Sequence, residues 1–375
     1  MSVRHAAQPQ FPLRSLREGP AAPWVRPADW PGLPWIPDAE QALVGLVAIH
    51  DTDQEKITVF CAGNYTVDWG DGTAPVNAAA YTFNQHQYDY AAIATPVTSR
   101  GYKTAIVKIY PQAGQNLTVL QLPHKPTGMG PNGFTAPWLD VQVNAAYCTQ
   151  LFIGNTSGGG TATLSLLESC HIRAHSLTSI THMLMDCISL RKLHWFDTTN
   201  VTNITNFLYR CYAIDNLPVL NFQNVTTAPA AIQECYSLSS IPAFNMPKAT
   251  SAAQMLYGSQ SLTSVPDIHF EVLDSAFYMF NGCFSLHTIG ALDFSNVTNT
   301  TNTFTNCRSL SKCDIFGVKV THSYDNCCFT AAGLNNIFTN LASGVTGQTI
   351  TVSNNPGAAT CDTSIATAKG WTVVT

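Results

Sequence analysis

The chain is 375 residues long, with charged side chains at only 11% and a formal net charge of -5. An ordinary soluble domain is about 25% charged, so the deficit leaves a neutral, polar surface rich in Thr, Ser and Asn, suited to shells, fibres and coats more than to a metabolic enzyme. No cluster of Lys and Arg is present to neutralise phosphates, which argues against nucleic acid as a partner, and no apolar run reaches the ~18 residues of a membrane-spanning helix.

Residues 1–40 hold eight Pro, four Arg and three Trp. Proline at this density prevents helix and central strand, and composition alone reads as a disordered tail. Trp24, Trp30 and Trp35 point instead to an extended arm that docks on a neighbouring domain or chain, since disordered segments are poor in aromatics and interfaces are rich in them. The opening Met-Ser-Val-Arg-His is not followed by an apolar segment, so a secretory leader is not expected. A protein built for the outside of a cell without a leader fits a virus particle, whose parts fold in the host cytoplasm.

Residues 41–122 read as all-β. Ala42–Ile49, Lys56–Phe60, Tyr65–Trp69, Thr104–Ile109 and Leu117–Leu120 are short strand-like runs with turn residues between them, and Asp71-Gly72 is a tight-turn pair. Asp51, Asp53 and Glu55 alternate as in a Ca²⁺ loop, but Lys56 stands where such a loop needs Gly, so a solvated turn is expected. The segments Tyr65-Thr-Val-Asp-Trp-Gly-Asp-Gly-Thr73, His86-Gln-Tyr88 and Gly101-Tyr-Lys-Thr-Ala-Ile-Val-Lys-Ile109 follow one another in the order of a W-x-F-G-D-G-T/S turn, an H-x-Y and a G-x-Y-x-V-x-L strand. This resembles the polycystic-kidney-disease (PKD) domain, with Val67 and Trp69 in place of the family's Trp and Phe. The resemblance implies an Ig-like β-sandwich in which Asp68 and Asp71 shape a turn and do not ligate metal.

Residues 123–140 are rich in Pro and Gly and read as a linker. From residue 183 a strict 24-residue period begins, with segments starting at Met183, Phe207, Ala231, Met255, Met279 and Thr303. Four ladders follow: Leu184, Leu208, Ile232, Leu256, Phe280, Phe304; Cys187, Cys211, Cys235, Ser259, Cys283, Cys307; Leu190, Ile214, Leu238, Leu262, Leu286, Leu310; and Phe196, Leu220, Phe244, Ile268, Leu292, Phe316. A period of this length predicts a solenoid whose coils bury their apolar sides against one another. At the strand spacing of about 4.8 Å per coil, six coils make a rod roughly 30 Å long. Five of the twelve Cys occupy one ladder position and Ser259 the sixth, which predicts reduced thiols packed as a spine and not disulfides or a metal site.

The ladders resemble the bacterial surface-antigen type of leucine-rich repeat, with its M-F-x-x-C-x-S-L-x-x-I…F-x-x-x-x-V-T core. The full expectation is a mainly β protein: an anchoring arm (1–40), a PKD-like sandwich (41–122), a linker (123–140), a leucine-rich-repeat solenoid (141–328) and a C-terminal cap (329–375) with a helix near residues 332–341. That order is similar to structural and fibre proteins of tailed bacteriophages. The similarity implies a virion protein, a head fibre, decoration or tail-fibre subunit, anchored to other virion proteins by the arm and forming a homo-oligomer.

No G-x-S-x-G, H-E-x-x-H, Walker or Rossmann motif occurs, so no catalytic residue, cofactor or metal is assigned. His171, His175 and His182 cluster in sequence, as do the carboxylates Glu168, Asp186 and Glu234, and both groups read as ordinary surface side chains. Asn200-Val-Thr, Asn224-Val-Thr and Asn296-Val-Thr match the glycosylation triplet but are read as turn chemistry. Tyr209, Tyr212, Tyr236, Tyr257 and Phe284 recur beside the Cys ladder as an aromatic stripe, read either as rim packing or as a contact surface for a host protein or glycan. A bacterial surface or secreted adhesin is the alternative to the virion reading.

Overall fold

The computed structural model describes residues 24–51, 56–122, 135–154 and 164–375, the side chains of residues 135–136 and 164–165 excepted. The first 23 residues of the arm, residues 123–134 of the linker, and Asp53 and Glu55 lie outside the described residues. The described chain is mainly β, arranged in several sheets.

Between residues 41 and 122 the alternating runs form β1 (Ala42–Ile49), β2 (Lys56–Cys61), β3 (Tyr65–Asp68), β4 (Val76–Ala78), β5 (Thr82–Gln87), β6 (Lys103–Pro111) and β7 (Val119–Gln121). β1 pairs antiparallel with β6, and β3 and β4 continue that sheet. β2, flanked by β5 and β7, makes a second sheet. Residues of both sheets share one core. Tyr65 crosses it, and its hydroxyl donates to the Thr82 carbonyl at 2.8 Å.

The next strands are β8 (Thr135–Ala136), β9 (Trp138–Asn144), β10 (Gln150–Phe152), β11 (Leu164–Ser165), β12 (Ser169–Arg173) and β13 (Lys192–Leu193). β9 pairs antiparallel with β1 on one side and parallel with β12 on the other, and β12 continues in parallel to β13. In the second sheet β10 adds in parallel to β7. Both sheets therefore run on into the first repeats, and the linker drawn at 123–140 ends inside β9. Its last residues, Trp138, Leu139 and Asp140, are all buried and open a strand that the Pro/Gly-rich stretch before it masks in sequence. A single apolar core extends from Leu43 to Trp371.

The 24-residue period is the spacing of the backbone contacts. Parallel bridges join Ser179 to Asn203, then Thr227, Ser251, Ser275 and Asn299 in turn. The Leu208 amide donates to Ala231 O at 2.8 Å, and the Leu256 amide to Met279 O at 3.0 Å. Every member of the first and third ladders is buried. The fourth ladder breaks at its end. β14 (Ser264–Val265), β15 (Thr288–Asp293) and β16 (Lys312–Phe316) form a parallel sheet in which Ile289 faces Cys313 but Ala291 faces Asp314. Gly290 is the extra residue of a bulge. The one-residue slip turns Phe316 outward and puts Ile315 in the buried place expected for it.

The chain closes with β17 (His322–Ser323), α1 (Ala331–Asn340), β18 (Thr349–Thr351), α2 (Ser364–Thr367) and β19 (Thr372–Val374). The Thr330 hydroxyl accepts from the Gly333 amide at 3.2 Å and starts α1, which buries Leu334, Ile337 and Phe338 on the last strands.

Candidate contact face

Two backbone positions in each repeat are left-handed. One column is His182, Asn206, Ala230, Gln254, Tyr278 and Asn302, with φ between 53° and 57°; the other is Asp186, Arg210, Glu234, Gly258, Gly282 and Asn306, with φ between 56° and 78°. Gly, Asn and Asp adopt this conformation readily, whereas other residues pay roughly 1–2 kcal/mol for it. Arg210, Glu234, Gln254 and Tyr278 nevertheless occupy such places on consecutive repeats. The Glu234 amide donates to Tyr257 O at 2.7 Å, and the Gln254 amide to Phe277 O at 2.8 Å, so these repeats are in register with one another. Ala230 and His182 take the same conformation, so it belongs to the turn of the repeat, and what this face adds is the side chains carried there.

The side chains meet. Arg210 Nε donates to Glu234 Oε2 at 3.2 Å, and its Nη1 lies 3.9 Å from Asp186 Oδ1. The guanidinium sits 4.6 Å from the Tyr209 ring centroid. Tyr212 and Tyr236 stack 4.7 Å apart with their planes 2° from parallel, and the Tyr236 hydroxyl donates to Glu234 Oε2 at 3.4 Å. Tyr257 leans on Tyr278 at 6.2 Å, and Phe284 lies under Arg308 at 6.0 Å. Burial raises the Tyr212 phenol to about 12, Arg210 opposing and Glu234 adding to the rise, and burial and Glu234 raise Tyr236 as well. Both rings remain phenols, and thus donors, across the physiological range. Asp186 and Glu234 lie low in the face while Arg210 stays 41% exposed, so the face shows tyrosine edges and a guanidinium.

The structure brings all five aromatic candidates to one side of the repeats, with Tyr209, Tyr212, Tyr236 and Tyr257 half-buried and Phe284 exposed. Arg210, Gln254 and Tyr278 were not singled out in the sequence. The signal was present in the column before the Cys ladder, where Arg and Glu interrupt a run of Asp, Gly and Asn. The other candidates separate. His171 stacks on His194, His175 lies 3.5 Å from Asp197, and His182 contacts Asn206 at 3.0 Å. Glu168 is held by Trp24 and Arg100, away from the pair around Arg210. Asp71 accepts from Thr73 and lies 2.7 Å from His86; burial works against its charge, but these bonds outweigh it and hold the carboxyl below its usual range. Asn200, Asn224 and Asn296 each donate to a carbonyl 25 residues earlier, which is the turn role read from sequence.

The three arm tryptophans have different surroundings. Trp30 is 4% exposed, packs with Leu46, Tyr102 and Leu139 on the outer side of β1, and donates to the Tyr102 hydroxyl at 3.1 Å. Trp24 donates to Glu168 Oε2 at 2.8 Å, and Arg26 reaches Asp140 at 2.8 Å. The arm from residue 24 is therefore strapped to the chain's own sheet. Trp30 is used up in that contact, and Trp35, 63% exposed with Arg173 4.1 Å from its ring centroid, is the ring of the three open to a second molecule.

Residues 171–269 and 236–316 match the family described as "Mycoplasma protein of unknown function, DUF285". No curated protein and no solved structure matches the chain.

Proposed function

We propose that this chain is a non-enzymatic display protein of a virion, a head fibre, decoration or tail-fibre subunit. In this reading a PKD-like sandwich opens a leucine-rich-repeat solenoid, the arm with Trp35 attaches to other virion proteins, and the tyrosine face contacts a host-surface protein. The observation that carries the contact role is the meeting of Arg210, Glu234, Tyr212 and Tyr236 on one face. Tyr and Arg are the side chains that dominate interface energetics. The order of segments and the low charge support the virion assignment.

Density-gradient sedimentation of particles from a culture producing the chain tests the reading. The full chain is expected to travel with particles, and a variant lacking residues 1–40 to remain free. Arg210→Gly is expected to leave incorporation intact while reducing host adsorption by about tenfold or more. A chain found wholly in the soluble fraction overturns the virion assignment. A second reading is a bacterial surface adhesin, to which the match with a family described from Mycoplasma lends only a bacterial setting, and for which the chain would fractionate with the cell envelope.

A further inference from the structure

We propose that the joint between the last repeat and the C-terminal cap opens in acid, with His322 as its trigger. Repeat is tied to repeat by a ladder of backbone bonds, which ends with the Phe280 amide on Thr303 O at 3.0 Å and the Gly282 amide on Thr305 O at 2.9 Å. Among the described residues no backbone bond carries that ladder from 300–306 on to the cap at 322–327. The parallel bridges stop at Asn299, and β17 pairs with β18 in a sheet separate from β14–β16. One side-chain bond crosses this edge of the joint, from the Thr300 hydroxyl to Thr321 O at 2.7 Å. The other edge is tied by backbone: the Gly317 amide donates to Asn340 O at 2.9 Å, and the Cys328 amide to Leu310 O at 2.8 Å. The cap is thus hinged along one edge and held by packing along the other.

That packing is aromatic. Phe304 of the last repeat stacks on Tyr324 of the cap at 4.9 Å, and the His322 ring stands edge-on to both and to Phe294. Buried polar groups are nearly always hydrogen-bonded, yet both ring nitrogens of His322 are without a partner inside the core. Neutral, the imidazole packs as one more aromatic ring; protonated, it is a buried charge with no counter-ion. The titratable groups around it are Tyr324 and, beside that phenol, Cys313 and Cys327, all raised by burial and so uncharged. Ile350, its partner on β18, is apolar. The nearest carboxylates in sequence are engaged elsewhere, Asp293 with the Ser295 amide and Asp325 with Asn326 and Asn354. Burial holds the ring's pKa at about 3, whereas a ring wetted by opening titrates near 6.5. Opening therefore takes up a proton, and its equilibrium constant rises about tenfold per unit as the pH falls below 6.5. The inference depends on neither the virion nor the adhesin reading.

The spine thiols serve as reporters. Cys307 lies at the joint, close enough to Cys313 and Cys327 for their charges to bear on it, whereas Cys211 and Cys235 lie further back along the spine. The full chain is labelled with 4,4′-dithiodipyridine, the modified cysteines are located by peptide mass spectrometry, and each rate is divided by that of the urea-unfolded chain at the same pH. As the pH falls from 6.5 the Cys307 rate is expected to rise about tenfold per unit, while Cys211 and Cys235 stay protected. His322→Phe is expected to abolish the rise, and Thr300→Val to raise Cys307 labelling at every pH with the slope kept. Circular dichroism at neutral pH checks folding, and His322→Leu takes the place of the Phe variant if that does not fold. A flat Cys307 rate, a slope that survives in the folded His322 variant, or an equal rise at Cys211 overturns the proposal.

Discussion

His322 lies wholly inside the far end of the repeats, between Phe294, Phe304 and Tyr324 at centroid distances of 6.3, 5.4 and 4.8 Å. Neither ring nitrogen has a hydrogen-bond partner, and burial pushes its pKa down to about 3. In the unfolded chain the ring titrates near 6.5. Between those values the unfolded state binds a proton that the folded state refuses, so stability is whole above pH ~6.5 and falls by about 1.4 kcal/mol per unit as the pH drops toward 3. Thermal melts of His322→Phe from pH 7 to 4 are expected to show a higher melting temperature and a flatter pH dependence; an unchanged slope would remove His322 as the cause. Gly45 is a second such position. A Cβ on it would come within 2.3 Å of the Trp138 ring, so Gly45→Ala is expected to cost about 1–3 kcal/mol in urea denaturation. Neither effect was legible in sequence. His322 lies past the slip at Gly290, where the ladders no longer give register, and the Gly45–Trp138 contact joins strands nearly a hundred residues apart.

The repeat itself was the most legible element, because a 24-residue period with four apolar positions admits few arrangements. Its thiol spine was read as small apolar packing, and the structure adds a donor role. Cys211, Cys235, Cys283 and Cys307 each point Sγ at the carbonyl 27 residues earlier, at 3.1–3.3 Å, and Ser259 Oγ does the same to Ile232 O at 3.1 Å. That is why Ser fits this ladder. Cys235→Ser is therefore expected to fold with stability close to the parent, while Cys235→Ala loses both the donor and buried volume, about 1–2 kcal/mol in chemical denaturation. Equal stability of the two variants would show the hydrogen bond to be incidental. The end of the fourth ladder was misread for a related reason: a bulge adds one residue without disturbing composition, so Phe316 keeps the spacing in sequence and loses it in space.

At the scale of the molecule, the boundaries drawn from composition do not divide the core. β9 is at once the partner of β1 and the first member of the parallel series, so the two sheets of residues 41–122 cover the first repeat as the closing helix covers the last. A chain beginning at residue 135 would expose the β1-facing edge of β9 and the apolar side of β10, and uncovered edges of this kind aggregate. It is expected to be insoluble, whereas the full chain should melt in one transition by calorimetry; a soluble, cooperatively folded fragment would contradict the shared core. That sharing was hidden in sequence because the Pro/Gly run before Trp138 looks like a joint.

The thiol spine has one more consequence. No disulfide joins any of the twelve cysteines, and burial raises Cys211, Cys235, Cys283 and Cys307 far from the thiolate form, Cys283 to about 12. Thiols of this kind neither exchange nor oxidise readily. A fold held by disulfides would take its final form only in an oxidising compartment; this one needs no oxidant to close, and its buried thiols leave an oxidising medium little to act on.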